Sequence, residues 1–338
     1  MTATTTRREP ARAEAPGKVI LLGEHFVVHG SPAIALAVDP GATVEASPAG
    51  ADRLVVPQWA LDVPRGAEDV PLARALDALL GALDGGRDGG RDSSSDGGDP
   101  IPAATWTVRL ELPGGAGLGS SAAIGVAVAR AACRLAGRRE DLAALFDAVF
   151  AWERVFHGNP SGFDHAVSLA GGAVRYTRAP QVELRRITIG APLTLVVAQV
   201  EPGASTATMV AGVAQWRMEH PERFAALMRD VDEDAAVLET ALARGDASSA
   251  GAILDRAHER LREIGVSTPA LDHAVRVARE AGAAGAKLLG AGGGGCIVAL
   301  AATADASTLV ERLRPLAITT LVRTVAPSVV DPRRARLI

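Results

Sequence analysis

A glycine-rich segment from Leu112 to Ala123, with the sequence LPGGAGLGSSAA, is the feature that most constrains the fold. The apolar run Thr107 to Leu112 before it predicts a strand, and the apolar run Ala122 to Leu135 after it predicts a helix. Glycines let backbone N–H groups come close to a ligand. A helix start directs its unpaired N–H groups and the positive end of its dipole to the same place. The segment therefore predicts an anion site, and the natural anion is a nucleotide phosphate.

For the loop alone, a tight strand-to-helix connection without any ligand is an equally good interpretation. The usual P-loop is excluded because no lysine precedes Ser120 and Ser121. The dinucleotide-binding fingerprint is excluded because its spacing, with an acidic residue at the end of the following strand, does not occur here. Other segments of the chain have to decide between a ligand site and a plain turn.

The composition indicates a globular protein without a nucleic-acid surface. The chain has 338 residues, of which 48% are apolar and 22% charged, which is enough for two domains with a substantial core. The net charge of −4 argues against nucleic acid as a partner. Arginine greatly outnumbers lysine, a bias that we attribute to a GC-rich genome rather than to function. Cys133 and Cys296 lie in apolar surroundings and are expected to be buried thiols in a reducing cytoplasm.

Two polar segments are expected to lie outside the folded core. Residues 1–14 have no apolar segment, which excludes a signal peptide and predicts a disordered tail. Residues 84–100, which read DGGRDGGRDSSSDGGDP, offer nothing to bury and predict a flexible insert. No apolar run is long enough to cross a bilayer, so we expect a cytoplasmic protein without a membrane partner.

The periodicity predicts an α+β fold in two lobes. Strands and helices alternate in the first half, where Val19–Leu22 and Ala33–Val38 are predicted strands. The second half is mostly helical, and Lys287–Leu300 predicts two strands joined by a glycine turn. The helices predicted there from their 3.6-residue period are Thr206–Arg217, Arg223–Ala243, Ala247–Glu263, Pro269–Ala281 and Ala306–Leu313.

Four segments, in order, resemble the signature motifs of the GHMP kinase superfamily, with the closest likeness to the mevalonate kinases. They read APGKVILLGEHFVVHG, PGGAGLGSSAA, ERVFHGNPSGFDHAVSLAGGAVRY and KLLGAGGGGC. The resemblance spans nearly the whole chain. It implies an ATP-binding N-terminal lobe over residues 15–185, similar to ribosomal protein S5, and a ferredoxin-like C-terminal lobe over residues 186–338. It further implies ATP and Mg²⁺ as cofactors and a homodimer.

The resemblance implies an enzyme that phosphorylates the 5-hydroxyl of (R)-mevalonate, giving 5-phosphomevalonate for isoprenoid synthesis. Asp164 would be the general base, and Lys18 the ammonium that keeps it ionised. Ser121 and Glu153 would bind Mg²⁺, because oxygen ligands suit that hard cation. The residues expected to contact ATP are Gly114, Gly115, Ala116, Gly117, Leu118, Gly119, Ser120 and Ser121. Without the resemblance, an N-cap serine pair and a solvated helix carboxylate are the simpler interpretations of the two metal-binding positions.

The resemblance also implies a substrate pocket, with His25 as a donor to the mevalonate carboxylate. The residues expected to line it are Glu24, His25, Ser161, Thr206 and Gly293. The chain departs from the family where a K-x-x-R-x-T pattern is common, because Glu201 and Ala204 stand at the basic positions. The alternatives left open are another GHMP kinase, acting on phosphomevalonate, homoserine or a sugar, and a non-catalytic sensor.

Overall fold

The structure is a computed structural model that describes residues 9–85, 99–112, 117–178, 180–301, 305–331 and 334–337. The strands are Ala11–Leu22 (β1), Ala33–Pro48 (β2), Arg53–Val56 (β3), Leu61–Pro64 (β4), Ala104–Leu110 (β5), Ala173–Thr177 (β6), Glu183–Ile187 (β7), Leu193–Glu201 (β8), Gly285–Leu289 (β9), Gly295–Ala301 (β10) and Thr319–Val325 (β11). The helices are Pro71–Gly85 (α1), Ser120–Leu135 (α2), Leu142–His157 (α3), Phe163–Ala170 (α4), Thr206–Glu219 (α5), Pro221–Arg244 (α6), Ala247–Glu263 (α7), Pro269–Glu280 (α8) and Ala306–Leu313 (α9). The predicted α+β character is confirmed.

The chain divides into two compact units that interleave along the sequence. The described residues of the first unit fall within Met1–Gly17, Pro40–Leu112 and Ser120–Leu169. Those of the second fall within Lys18–Asp39, Pro113–Gly119 and Ala170–Ile338. The division into lobes at residues 185 and 186 stays a prediction. The greater parts of the predicted tail and insert, residues 1–8 and 86–98, lie outside the described residues.

The first unit packs the helices α1, α2 and α3 around a small mixed sheet. Its strands follow the order β4-β3-β5-β2, with β3 and β5 parallel and the other pairs antiparallel. Trp106 on β5 is fully buried, and its indole N–H donates to the Asp52 carboxylate at 2.9 Å. On α2, Gly125 makes room for α3, because a Cβ at that position would lie 2.9 Å from Cδ1 of Trp152.

The second unit is built on an antiparallel sheet of four strands in the order β11-β8-β10-β9. Every residue of β9 and β10 is buried, as their near-continuous apolar sequences require. In the same unit, residues 33–36 of β2 pair with β6, and β6 pairs with β7. Helix α8 begins with Pro269, and its N-cap Thr268 accepts a hydrogen bond from the Leu271 N–H at 3.2 Å through its side chain.

Two glycines bring the backbones of α7 and β9 into direct contact in the second unit. A Cβ built on Gly251 would lie 2.0 Å from the carbonyl oxygen of Ala284, and one built on Gly285 would lie 2.0 Å from the carbonyl oxygen of Gly251. Neither backbone can yield without moving a buried element. This contact therefore fixes how closely the helix approaches the strand that carries the third glycine motif.

We predict that Gly251→Ala lowers the free energy of unfolding by at least about 2 kcal/mol, because the new methyl group has no space. The matched control is Gly212→Ala on the exposed face of α5, where nothing lies within 4 Å of the added Cβ. That substitution should stabilise by about 0.5–1 kcal/mol through helix propensity. Urea unfolding of both variants measures the difference. Equal midpoints would show that the contact of α7 with β9 does not limit stability.

Candidate active site

The start of α2 and the end of α3 bring Ser121 and Glu153 together in the first unit. The Ser121 hydroxyl donates to Oε1 of Glu153 at 2.7 Å. The indole N–H of Trp152 lies 3.1 Å from the Ser121 carbonyl oxygen and 3.2 Å from its hydroxyl oxygen. These contacts also help to fix the position of the serine. Glu153 is buried, and its other oxygen lies 3.6 Å from Nε2 of His157. The two residues that the sequence predicts as metal ligands, Ser121 and Glu153, therefore lie side by side.

The donor atoms of this pair fit Mg²⁺. A hydroxyl and a carboxylate supply two oxygen ligands, and Mg²⁺ commonly takes only one or two protein ligands beside phosphate oxygens and water. Among the described residues, no group of three or more His, Cys, Asp and Glu side chains is arranged to hold a metal ion. A metal at Ser121 and Glu153 would therefore need further ligands from phosphates and water, as a nucleotide-bound Mg²⁺ does.

Asp164 lies in the first turn of α4, whereas the sequence placed it at the end of a turn. Ser161 shapes this helix start, because its hydroxyl accepts a hydrogen bond from the Phe163 N–H at 3.2 Å. The base and substrate roles of the two residues stay predictions. His165 follows Asp164 and is fully buried, with its ring centroid 4.4 Å from that of Phe146 and 5.8 Å from that of Phe150.

In the second unit, Lys18 lies against the end of the glycine loop. Its N–H donates to the carbonyl oxygen of Leu118 at 2.9 Å. Gly119 has φ of +73°, and a Cβ there would lie only 2.8 Å from Cγ of Lys18. Position 119 therefore requires glycine for two reasons, its left-handed backbone and the buried lysine stem. Gly114, Gly115 and Ala116, which were predicted to contact ATP, lie outside the described residues, and Gly117 has φ of +71°.

The first and third motifs meet in the second unit through His25. Nε2 of His25 lies 2.9 Å from the carbonyl oxygen of Ala291, within the loop between β9 and β10. Burial lowers the pKa of His25, so the ring is neutral at pH 7, and the contact assigns its proton to Nε2. The Nε2 proton is thus engaged by the backbone. Nδ1 is left as an acceptor, so a substrate hydroxyl suits this ring better than the predicted carboxylate.

The sequence did not reveal that Glu24 is committed to a buried lysine. Lys287 on β9 is completely buried, and its ammonium contacts Oε1 of Glu24, whose side chain is 3% exposed. The ammonium also lies 3.3 Å from the carbonyl oxygen of Ile20 on β1. A charged residue inside the apolar run KLLGAG was the available signal for this contact. The predicted substrate role of Glu24 has to be reconciled with that partner.

Gly293 lies against the segment that precedes α5 and against the first turn of that helix, which begins at Thr206. Thr206 is exposed and is the first residue of the helix. Gly293 has φ of +65°, and a Cβ there would lie 2.5 Å from Sδ of Met209 and 2.7 Å from Cβ of Ala204. The Ala204 N–H donates to the Gly293 carbonyl oxygen at 3.0 Å. The third motif thus supports the segment before α5, and the substrate roles of Thr206 and Gly293 stay predictions.

Comparison with known proteins agrees with these motifs. The sequence profile of the GHMP kinases N terminal domain matches residues 89–172, and that of GHMP kinases C terminal matches residues 238–315. The mevalonate kinase of Methanothermobacter thermautotrophicus is 33% identical, over 85% of this chain and 89% of its own. That of Bos taurus is 33% identical, over 85% and 84%. The chain therefore belongs to the GHMP kinases, which are ATP-dependent, and within them to the mevalonate kinase family.

Solved structures show the same fold. The L. major mevalonate kinase, crystallised in complex with R-mevalonate, superposes with a TM-score of 0.81 at 28% identity, covering 98% of this chain and all of that one. The mevalonate kinase of Methanococcus jannaschii gives a TM-score of 0.75 at 22% identity, covering 96% and 100%, and shows the fold alone. The predicted GHMP kinase fold is confirmed. No helix among the described residues combines the length and apolar character of a membrane span.

His165 is the neighbour of Asp164 in the sequence. We predict that His165→Phe makes the free energy of unfolding depend less on pH. Burial lowers the pKa of His165 to about 4, and its Nε2 finds no hydrogen-bond partner among the residues that the structure describes. The unfolded chain takes up this proton near pH 6.5 and the native chain only near pH 4. The native state therefore loses stability as the pH falls from 6.5 to 4, by about 3 kcal/mol.

The phenylalanine variant should lack this contribution and keep the ring contacts. Its free energy of unfolding at pH 7 should equal or exceed that of the unmodified chain, because an unsatisfied buried nitrogen is removed. Urea unfolding between pH 4 and pH 7 measures both. An unchanged slope over that range would show that His165 is not buried as a neutral ring.

Proposed function

We propose that the protein transfers the γ-phosphoryl group of ATP to the 5-hydroxyl of (R)-mevalonate, giving 5-phosphomevalonate for isoprenoid synthesis. The observation that carries this proposal is the likeness to mevalonate kinases from archaea and mammals over most of the chain. The L. major relative was crystallised with R-mevalonate, which supports the same acceptor here.

In the proposed reaction, Asp164 takes the proton of the substrate hydroxyl as the oxygen attacks the γ-phosphorus. The bond between the γ-phosphorus and the bridging oxygen breaks, and ADP leaves with the electron pair. Lys18 keeps Asp164 ionised, lowers the pKa of the hydroxyl and stabilises the negative charge that develops. The burial of Lys18 supports this role, because a poorly solvated ammonium exerts a stronger field on its neighbours.

The proposed nucleotide site combines the glycine loop, from Gly114 to Ser120, with the pair Ser121 and Glu153. Mg²⁺ bound there neutralises charge on the phosphates of ATP. The hydrogen bond between Ser121 and Glu153 supports this proposal, because it holds two oxygen ligands in place before any ion binds. The N-terminus of α2 adds its N–H groups and dipole, which suit a phosphate.

The proposed substrate pocket contains His25, Ser161, Thr206 and Gly293, with Glu24 behind His25. His25 would accept a hydrogen bond from a mevalonate hydroxyl through Nδ1. The lobes 15–185 and 186–338, a homodimer and a cytoplasmic location complete the proposal. The family profiles support the lobes, since each profile falls within one of them.

A substrate panel tests the acceptor. ADP release should be fastest with (R)-mevalonate and at least about a hundredfold slower with phosphomevalonate, homoserine and galactose, judged by kcat/KM. Measured nucleotide binding without turnover of any alcohol would favour the non-catalytic sensor. Preference for another alcohol of the panel would move the chain to a different GHMP kinase activity.

Asp164→Asn tests the proposed base. Because asparagine cannot accept the hydroxyl proton, kcat should fall by about 10²–10⁴-fold. The KM for ATP should change little, since Asp164 is not proposed to hold the nucleotide. Asp147→Asn, an exposed position on α3, serves as the control with unchanged kcat. Near-normal turnover in a folded Asp164→Asn variant would end the proposed mechanism.

A further inference from the structure

The whole chain contains only two lysines, Lys18 and Lys287, beside 33 arginines. Both lysines are buried, Lys18 at 3% and Lys287 at 0% exposure, and both belong to the second unit. A compositional bias that favours arginine nearly everywhere has left lysine at two buried positions. A compact ammonium on a slender stem fits places where a planar guanidinium does not, and it changes its pKa more readily on burial. Lys18 already has a proposed role, whereas Lys287 has none.

Lys287 joins the third motif to the first. The residue lies on β9, three positions before Gly290, where the glycine loop that holds Ala291 begins. Its ammonium contacts the Glu24 carboxylate and the Ile20 carbonyl oxygen, and Ile20 lies two residues after Lys18 on β1. A second contact, from His25 to Ala291, runs beside the first. Two adjacent residues of the first motif are thus tied to the third motif by their side chains.

The charges around Lys287 form a compact group. Glu24, Lys18, His25 and His258 are the titratable residues that interact with it electrostatically, and Leu288 donates its N–H to Nδ1 of His258 at 3.2 Å. Burial lowers the pKa of Lys287, and Glu24 opposes that change while Lys18 adds to it. Burial lowers the pKa of His258 to about 4, so that ring is neutral. Lys287 therefore interacts with both the Glu24 carboxylate, which it contacts, and the ammonium of Lys18.

We propose that Lys287 is a positioning residue for phosphoryl transfer: its buried ammonium binds the Glu24 carboxylate and prevents that carboxylate from pairing with Lys18. This inference rests on the proposed function, in which Lys18 acts on Asp164 and the substrate hydroxyl. Glu24 paired with Lys18 would neutralise the charge that the reaction uses.

The two-lysine composition permits a direct test. Protein labelled with ¹³C at the lysine ε-carbon gives two side-chain resonances, whose pH titration reports each ammonium separately. In Lys287→Met the remaining resonance belongs to Lys18. Its midpoint should rise by about one pH unit, because the buried Glu24 carboxylate now faces it. In the double variant Lys287→Met/Glu24→Gln the Lys18 midpoint should return to the unmodified value. The reason is that two uncharged side chains replace an ion pair whose net charge is zero.

Kinetics of the same variants test the consequence for the reaction. Lys287→Met should lower kcat for mevalonate at least about tenfold, with the KM for ATP nearly unchanged. The double variant should recover most of this loss, although it lacks both members of the ion pair. If the ion pair had a structural role alone, the opposite result would be expected. Removing both members would then leave the kcat of the double variant no higher than that of Lys287→Met.

A Lys18 midpoint that does not move in folded Lys287→Met would overturn the inference, as would a double variant that stays as slow as the single one. Where Lys287→Met does not fold, Glu24→Gln and the double variant carry the test. Glu24→Gln should lower the Lys287 midpoint. The double variant should have the same kcat as Glu24→Gln, because Lys287 is proposed to act only through Glu24, and a slower double variant would overturn the inference. A protein without mevalonate kinase activity but with the expected titrations would refute the proposed function and leave the arrangement of charges standing.

Discussion

The cost of placing charges in an apolar interior governs how this chain arranges its polar residues. A buried carboxylate or ammonium is tolerated when a partner and further hydrogen bonds replace the water it has lost. Glu153 meets the Ser121 hydroxyl in the first unit. In the second unit Glu24 meets Lys287, and Asp234 on α6 meets two arginines of α7, Arg256 and Arg260. Each of these partners comes from a different element, so satisfying the charge also fixes how two elements pack.

The same requirement explains why the candidate site residues are held so firmly before any ligand is present. Trp152 also donates to Ser121, and α2 approaches α3 closely because Gly125 lacks a side chain. The serine hydroxyl therefore has little freedom to rotate. Prepositioned oxygen ligands lose less entropy when a cation and a nucleotide bind. The close packing of α2 against α3 thus holds the polar side chains of the candidate site in position.

The sequence predicted long elements well, because their period and their end signals are local. The helix over 247–263 was predicted correctly from its spacing, and Gly245 ends α6 with a positive φ of +69°, a conformation that glycine adopts readily. Short elements such as β3 and β7 were not found, because four or five residues carry too little pattern. The helix α4 was not predicted, because the segment before it, HGNPSG, is rich in residues that break helices.

Site residues were harder to interpret than elements, because their partners are distant in sequence. The glycine-rich segment stands out in the sequence, but the bond between Ser121 and Glu153 joins residues 32 positions apart. Lys287 and Glu24 are 263 positions apart, and no local pattern links them. The charge of Lys287 inside an apolar strand showed only that some partner had to exist. Its identity follows from the packing of β9 against the end of β1, which depends on the whole second unit.

The chain departs from the family pattern at Glu201, and the local partner of this residue limits what the resemblance can predict about it. Where basic residues are common in the family, Glu201 instead accepts a hydrogen bond from Thr268, the N-cap of α8. Its carboxylate therefore supports a helix start, which favours negative charge through the helix dipole. Ala204 lies so close to Gly293 that a Cβ on that glycine would be 2.7 Å from its own. The segment before α5 is thus shaped by capping and close packing, so charge recognition in the proposed substrate pocket falls to other residues, for which the buried ammonium of Lys18 is our candidate.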